Sequence, residues 1–237
     1  MQESAAIIGA GPGLGGALLR RFAAGGYHAA GFKRDSAAIE PIVQAIRAEG
    51  GHASAEALDA SDPARVEAAL ARLEAHSGPL AVLVFNVAAF ARKPLLELGV
   101  EDLRAMLEKV AVAGFTSIQA GARLMAPRKR GTILVTGATA SLKGSANFAA
   151  FAAAKFALRA IAQSAAREFG PKGLHVAHVV VDGIIAGPQT DPTWLEGLGP
   201  DGALQPDAIA ELYWSLHKQP PSAWTFEADV RPHGERW

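Results

Sequence analysis

The chain of 237 residues contains no cysteine and only two tyrosines. Without cysteine it can form no disulfide, no thiolate metal site and no cysteine nucleophile. Its 23 basic residues are balanced by 23 acidic ones, so no broad electrostatic field is available for nucleic acid or an anionic membrane. No apolar run approaches the ~20 residues of a transmembrane helix, and no metal-binding spacing such as H-x-x-x-H occurs. A ligand must therefore be recognised by a local site.

The length and composition favour one α/β domain that spans residues 1–237. Half of the residues are hydrophobic, but many of these are alanine, which favours helices that pack closely on a sheet. Residues 1–4 have neither the basic region nor the cleavage site of a signal peptide. We therefore predict a cytoplasmic protein whose partner is a small molecule, without nucleic-acid or membrane partners.

Short runs rich in alanine, valine and isoleucine alternate with longer helical patterns. This alternation is typical of βαβ units, in which right-handed crossovers place helices on both faces of a parallel sheet. It predicts a Rossmann-type doubly wound sheet of about seven strands, with the ligand where the strand order reverses. Strands are predicted at residues 5–9, 28–32, 53–58, 81–85, 132–136, 175–181 and 225–230. Helices are predicted at residues 13–24, 37–49, 63–76, 101–125, 148–169 and 206–217.

A glycine-rich loop joins the first predicted strand to the first helix. It fits two dinucleotide spacings, one that uses Gly9, Gly13 and Gly15 and one that uses Gly11, Gly13 and Gly16. The missing side chains permit a tight turn and let backbone N–H groups approach a pyrophosphate at the helix N-terminus. A glycine-rich turn without a ligand is the alternative, but the flanking strand and helix favour nucleotide binding.

Two basic residues follow the second predicted strand, where an NAD site usually carries an acid that binds the ribose. Lys33 and Arg34 would instead attract a 2′-phosphate, and arginine can bind it through two parallel hydrogen bonds. The sequence therefore predicts that NADP(H) is preferred over NAD(H). The alternative is that both are solvated loop charges and that Asp35 holds the ribose.

These segments resemble the short-chain dehydrogenase/reductase family over nearly the whole chain. The loop from Gly9 to Gly15 is similar to the family's dinucleotide motif, with Ile8 in place of its usual threonine. Asp59 matches the family's acid beside the adenine ring. Asn86 matches the second asparagine of the family's Asn-Asn-Ala-Gly motif. The resemblance implies a dinucleotide-binding oxidoreductase fold.

The resemblance also implies a catalytic tetrad, and most of it is missing. Phe151 and Lys155 occupy the ends of the family's Tyr-x-x-x-Lys signature, in which the tyrosine carries the substrate proton. The serine position falls on Ala138 and the asparagine position near Ala111. The final glycine of the Asn-Asn-Ala-Gly motif is Ala88. On a helix, positions four residues apart share a face, so Lys155 is still expected to point toward the cofactor.

No other residue takes the place of the tyrosine convincingly. Tyr27 and Tyr213 are placed beside the second strand and on a late helix, and the position used by enoyl reductases is Phe148. His178 lies in an apolar strand, which favours a core histidine over an acid or base. The remaining polar candidates, each of which also suits a turn or cap, are Thr139, Ser141, Ser145 and Asn147.

The resemblance places the substrate loop at residues 186–206, after a Pro-Gly pair that is Asp182-Gly183 here. Trp194 makes this loop apolar, which indicates a hydrophobic substrate or simple packing. The predicted cofactor-binding residues are Gly9, Gly11, Gly13, Leu14, Gly15, Lys33, Arg34, Asp59, Asn86, Lys155, Gly183 and Ile184. The predicted substrate residues are Thr139, Phe148, Phe151 and Trp194.

Two functions share this cofactor. The first is an NADP(H)-dependent oxidoreductase whose substrate, such as an imine or an activated C=C compound, needs no tyrosine acid, because positioning alone supplies much of such a reaction. The second is a non-catalytic NADP(H) sensor or regulatory module, since a fold does not guarantee the family's reaction. The retained Lys155 and Asn86 favour the enzyme.

Small and apolar residues recur at helical spacing between positions 148 and 160. Two copies of this helix can pack closely, as in the family's dimers and tetramers. We therefore predict a homodimer or homotetramer through the helices at residues 148–169 and 101–125, with Trp237 docking on a neighbouring subunit. Burial of the same stripe against the chain's own sheet is the alternative.

Overall fold

The computed structural model describes residues 2–87, 89–199 and 201–235. Ala88 and Trp237, on which two of the sequence predictions fall, lie outside these residues. Seven strands in the described part of the chain form one sheet in the order β3-β2-β1-β4-β5-β6-β7, and every pairing is parallel. The strands are β1 (Ser4–Ile8), β2 (His28–Lys33), β3 (His52–Ala57), β4 (Leu80–Phe85), β5 (Gly131–Thr136), β6 (Leu174–Val181) and β7 (Glu227–Val230). The predicted doubly wound sheet is confirmed.

The helices connect successive strands and cover both faces of the sheet. Their bounds are α1 (Leu14–Ala24), α2 (Glu40–Ala48), α3 (Pro63–Ser77), α4 (Val100–Leu107), α5 (Ala113–Met125), α6 (Ala149–Phe169), α7 (Pro192–Leu195) and α8 (Pro206–His217). One apolar cluster packs α3, α5 and α6 on one face, and a second packs α1, α2 and α8 on the other. Both faces of β4 and β6 are buried, which is why these strands read as continuous apolar runs.

The predicted strands begin and end within two residues of the observed ones, but three helical details differ. The predicted helix at 101–125 contains a π-helical turn, Glu108–Val112, between α4 and α5. A 3₁₀ turn, Ser36–Ala38, precedes α2, because the Asp35 carboxylate caps it by accepting from the Ala37 N–H at 3.1 Å. The short helix α7 lies in the predicted loop at 186–206.

The strand order reverses between β1 and β4, and the chain crosses to opposite faces there. The carboxyl ends of these two strands lie side by side, and the Asn86 N–H, directly after β4, donates to the carbonyl of Ile8 at the end of β1 at 2.7 Å. A crevice at the carboxyl ends of the strands is the expected result of this topology.

Candidate active site

A cavity of about 750 Å³ opens at the carboxyl ends of β1, β4, β5 and β6. It brings together residues from four loops that the sequence analysis singled out separately. The predicted residues in its lining are Gly9, Gly11, Gly13, Leu14, Gly15, Asn86, Ala138, Thr139, Phe148, Phe151, Lys155, Gly183, Ile184 and Trp194. Lys33, Arg34 and Asp59 are outside its lining, as far as the described residues define it.

The glycine loop has a backbone that larger residues cannot adopt. Gly9 has φ +89°, and a Cβ there would lie 2.5 Å from the Asn86 carbonyl oxygen. A Cβ at Gly15 would lie 2.6 Å from the Ala10 Cα. Helix α1 begins after Gly13 without a side-chain cap, so its N-terminal N–H groups are left for a ligand at the cavity floor. The loop therefore fits the pyrophosphate of a dinucleotide.

Asn86 ties the glycine loop to the end of β5. Its amide nitrogen donates to the Gly9 carbonyl at 3.1 Å, and its amide oxygen accepts from the Thr136 hydroxyl at 2.9 Å. Thr136 also lies 2.8 Å from the Tyr213 hydroxyl, and Tyr213 is fully buried. Burial raises the pKa of Tyr213 well above its ordinary value. Tyr213 is thus a structural residue beneath the cavity.

The basic pair lies beside the glycine loop, at the end of β2. The Lys33 Nζ is 3.9 Å from the position of a Cβ on Gly11. Asp59 accepts hydrogen bonds from the Ser61 N–H at 3.1 Å and hydroxyl at 2.8 Å, and these bonds, with the charge of Arg34, lower the pKa of Asp59. Lys33, Arg34 and Asp59 therefore lie at the edge of the sheet beyond the cavity.

Lys155 is buried beneath the cavity on α6. Its Nζ donates to the Thr136 carbonyl at 2.9 Å, which points the side chain at the carboxyl end of β5. Burial lowers the pKa of Lys155 to about 8. Lys155 lies one helical turn from Phe151, and both residues line the cavity.

Neither Phe151 nor Ala138 carries a hydroxyl, although both line the cavity. The Ser141 hydroxyl is buried and accepts from the Ala138 N–H at 3.1 Å, so it supports the loop after β5. Ala111, at the expected asparagine position, lies in the π-helical turn and is buried. Ser145 lines the cavity at an exposed position. Of the hydroxyl residues singled out in the sequence, Thr139 is the one that lines the cavity at a half-buried position.

Four aromatic rings form a cluster in the lining. The Phe90 ring lies 5.5 Å from Phe148, 5.7 Å from Phe151 and 5.3 Å from Trp194, measured between ring centroids. Phe90 is 56% exposed and Trp194 47%, so the cluster forms an apolar wall that is open to a ligand. Phe90 was missed in the sequence because it lies in a loop without periodicity.

A polar pair lines the same cavity as the aromatic wall. The Thr139 hydroxyl donates to the Asp182 carboxylate, and both residues line the cavity. The other Asp182 oxygen lies 3.4 Å from the guanidinium of Arg231, which also pairs with Asp229 at 2.9 Å. Asp182 was noted in the sequence as a departure from the family's proline, but its pairing with Thr139 was missed.

His178, His217 and Tyr27 have structural partners outside the cavity lining. His178 is fully buried in β6, and its Nδ1 lies 3.0 Å from the Glu227 carboxylate, which Arg159 also binds. The Tyr27 hydroxyl lies 2.7 Å from the His217 Nε2 at the amino edge of the sheet. Within the described ranges, no group of three or more histidines and carboxylates is placed to hold a metal.

Comparison with known proteins identifies the family. The model of the short-chain dehydrogenase family matches residues 3–193. The chain belongs to this family. A short-chain dehydrogenase from Rhodopseudomonas palustris is 42% identical, with a TM-score of 0.86 over 98% of this chain and 99% of the other. No helix in the described part of this short-chain dehydrogenase is long and apolar enough to cross a membrane.

Two further relatives concern the cofactor and the reaction. A metagenomic short-chain oxidoreductase, solved in complex with NADP, is 27% identical, with a TM-score of 0.81 over 98% of this chain and 97% of the other. The 2,3-dihydro-2,3-dihydroxybenzoate dehydrogenase of Bacillus subtilis is 32% identical over 64% of this chain and 58% of its own length. This short-chain dehydrogenase thus has the nucleotide-binding fold of a family of NAD(P)-dependent oxidoreductases.

Proposed function

We propose that this short-chain dehydrogenase is an NADP(H)-dependent oxidoreductase that acts on a small hydrophobic compound without a tyrosine acid. One observation carries the proposal: a single cavity contains the glycine loop, Lys155 and the aromatic wall, while Phe151 and Ala138 supply no hydroxyl. The nicotinamide would supply the hydride. The glycine loop would hold the pyrophosphate, and Lys155 would bind the nicotinamide ribose.

The chain's own residues would contribute binding and positioning. The aromatic wall would exclude water and hold an apolar substrate against the cofactor, and such positioning removes a large entropic part of the barrier. The loop at 186–206 contributes Trp194 to this wall. The geometry supports a reaction in which the substrate, or water, provides any proton that the product needs.

The experiment that tests this function is oxidation of bound NADPH, followed by its absorbance, against a panel of carbonyl, imine and enoyl compounds. Oxidation by any member supports the oxidoreductase. Tight NADPH binding without oxidation by any member would contradict it and would favour the sensor or regulatory module. The retained but buried Lys155 is compatible with either outcome, which makes turnover the deciding observation.

The double variant Lys33→Ala/Arg34→Ala should lose the preference for NADPH. Removing two cations next to a 2′-phosphate is expected to weaken NADPH binding by at least about tenfold, because each charge-assisted bond contributes more than one neutral bond. NADH affinity should change little. Calorimetric titration with both cofactors measures this, and Arg65→Ala, which removes a cation beyond Asp59, is the control. An unchanged ratio of the two affinities would refute the assignment of Lys33 and Arg34.

We also propose that the chain forms a homodimer or homotetramer through α5 and α6. Phe115 on α5 and Phe156 on α6 are 48% and 42% exposed, which is unusual for large apolar side chains on a free surface. The variant Phe115→Glu/Phe156→Glu is expected to reduce the mass in solution to that of one 24.6 kDa chain. Light scattering measures it, with Leu96→Glu as the control on a fully exposed loop position. A monomeric wild-type protein would refute the proposal.

A further inference from the structure

Three threonine hydroxyls in the cavity present lone pairs, not protons, to a ligand. Thr139 donates its proton to Asp182, Thr136 donates to the Asn86 amide oxygen, and Thr190 donates to the Ile185 carbonyl at 2.6 Å. These are three of the four hydroxyl side chains in the described lining, and the fourth, Ser145, is exposed. A carbonyl oxygen that gains negative charge would therefore meet hydrogen-bond acceptors, not donors, at these three threonines.

The Asp182 carboxylate adds negative charge to the cavity lining beside Thr139. Its side chain is 13% exposed, and after its bonds with Thr139 and Arg231 each oxygen still has a lone pair for a further donor. The cations in the described lining are Lys155, whose Nζ is engaged by the Thr136 carbonyl, and Lys143, which is exposed. Glu235 is a second lining carboxylate.

The aromatic wall is also suited to a positive ligand. Ring faces attract cations within about 6 Å of their centroids, and the attraction increases when the cation is desolvated. The Arg92 guanidinium already lies 6.0 Å from the Phe148 centroid, while Phe90 and Trp194 remain about half exposed. Acceptors and aromatic rings that line one cavity are the partners of an organic cation with an N–H group.

We propose that the hydride acceptor of this site is a cationic C=N compound of the iminium class, held between the Thr139–Asp182 pair and the aromatic wall. This inference rests on the proposed oxidoreductase function. A bound dihydronicotinamide would supply the hydride to the iminium carbon and keep the positive charge as its oxidised form. The C=N π pair would move onto nitrogen to give a neutral amine, so no proton would be transferred. Phe151 and Ala138 are then sufficient, because no acid is needed.

The test measures binding of protonated dihydroisoquinoline to the protein loaded with tetrahydro-NADPH, which cannot give up a hydride. Dihydronaphthalene, which has the same shape without the charge, is the neutral comparison. The cation is expected to bind at least about tenfold more tightly, since charge-assisted bonds are the stronger ones. Asp182→Asn should reduce this difference to the part that the aromatic rings contribute, and Thr139→Val should also reduce it. Asp229→Asn, which alters the other partner of Arg231, is the matched control and should leave it unchanged.

Two results overturn the inference: equal affinity for the cation and the neutral compound, or a preference that Asp182→Asn leaves undiminished in protein that still binds tetrahydro-NADPH. A separate readout, loss of NADPH absorbance with the same cation, distinguishes this from failure of the proposed function. Cation binding without NADPH oxidation by any panel compound overturns the oxidoreductase. Oxidation by carbonyl compounds without any cation preference overturns the iminium class alone.

Discussion

The double variant Ala138→Ser/Phe151→Tyr is expected to reduce trifluoroacetophenone with NADPH at least about a hundredfold faster than the wild-type protein. Both positions line the cavity, and a hydroxyl at position 151 would lie one helical turn from Lys155. A positioned acid contributes about 10²–10⁴-fold to such a reaction. The rate of NADPH oxidation at saturating ketone measures the gain.

Two controls separate this effect from a change in packing. Phe90→Tyr adds the same hydroxyl to the aromatic cluster away from Lys155 and should give no gain. The triple variant that also carries Lys155→Met should lose the gain, because burial holds the pKa of Lys155 at about 8 and a charge there favours the tyrosinate. A double variant that folds, binds NADPH and stays inactive would show that Phe151 is not at the reacting centre.

Lys155→Met is expected to make the cofactor-free protein more stable at pH 7 and to weaken NADPH binding by at least about tenfold. The pKa of Lys155 falls from 10.5 to about 8 because the buried ammonium loses its hydration. At pH 7 the lysine is charged in both the folded and unfolded states, so the folded state carries the full cost, with an upper bound of about 3 kcal/mol. Denaturant unfolding measures the gain in stability.

The pH dependence has a defined sign. Between pH 8 and 10.5 the folded protein releases the Lys155 proton while the unfolded chain retains it, so the contribution of Lys155 to stability rises with pH in this window. The advantage of Lys155→Met should shrink over the same range. Lys143→Met, which removes an exposed lysine of the same lining, should show neither effect. A less stable Lys155→Met protein at pH 7 would contradict this account.

The sheet could be predicted because its inner strands are buried on both faces. Residues such as those of β4 and β6 form continuous apolar runs between turn signals, and this pattern specifies parallel strands directly. The π-helical turn Glu108–Val112 could not be predicted, because one extra residue in a turn hardly changes an apolar periodicity. The cap on Ser36–Ala38 depends on a side-chain rotamer of Asp35.

The candidate site likewise contains residues that could be predicted from the sequence and residues that could not. The glycine loop was predicted from its local spacing and Lys155 from the resemblance to the family, and both line the cavity. The pairing of Thr139 with Asp182 joins residues 43 positions apart, and nothing in either segment alone indicates it. Phe90 was missed because its ring contacts become visible only in the fold, with Phe148 and Phe151 at the start of α6 and Trp194 on α7. The preference for NADP(H) stays a prediction, because Lys33 and Arg34 lie beyond the described cavity lining.

Titration of the wild-type protein with NADPH and NADH tests whether this cavity is an NADP(H) site. We expect saturable binding of one NADPH per chain, with NADPH bound at least about tenfold more tightly than NADH, because its extra phosphate adds a charge-assisted contact. Equal affinities, a preference for NADH, or no binding of either cofactor would contradict it.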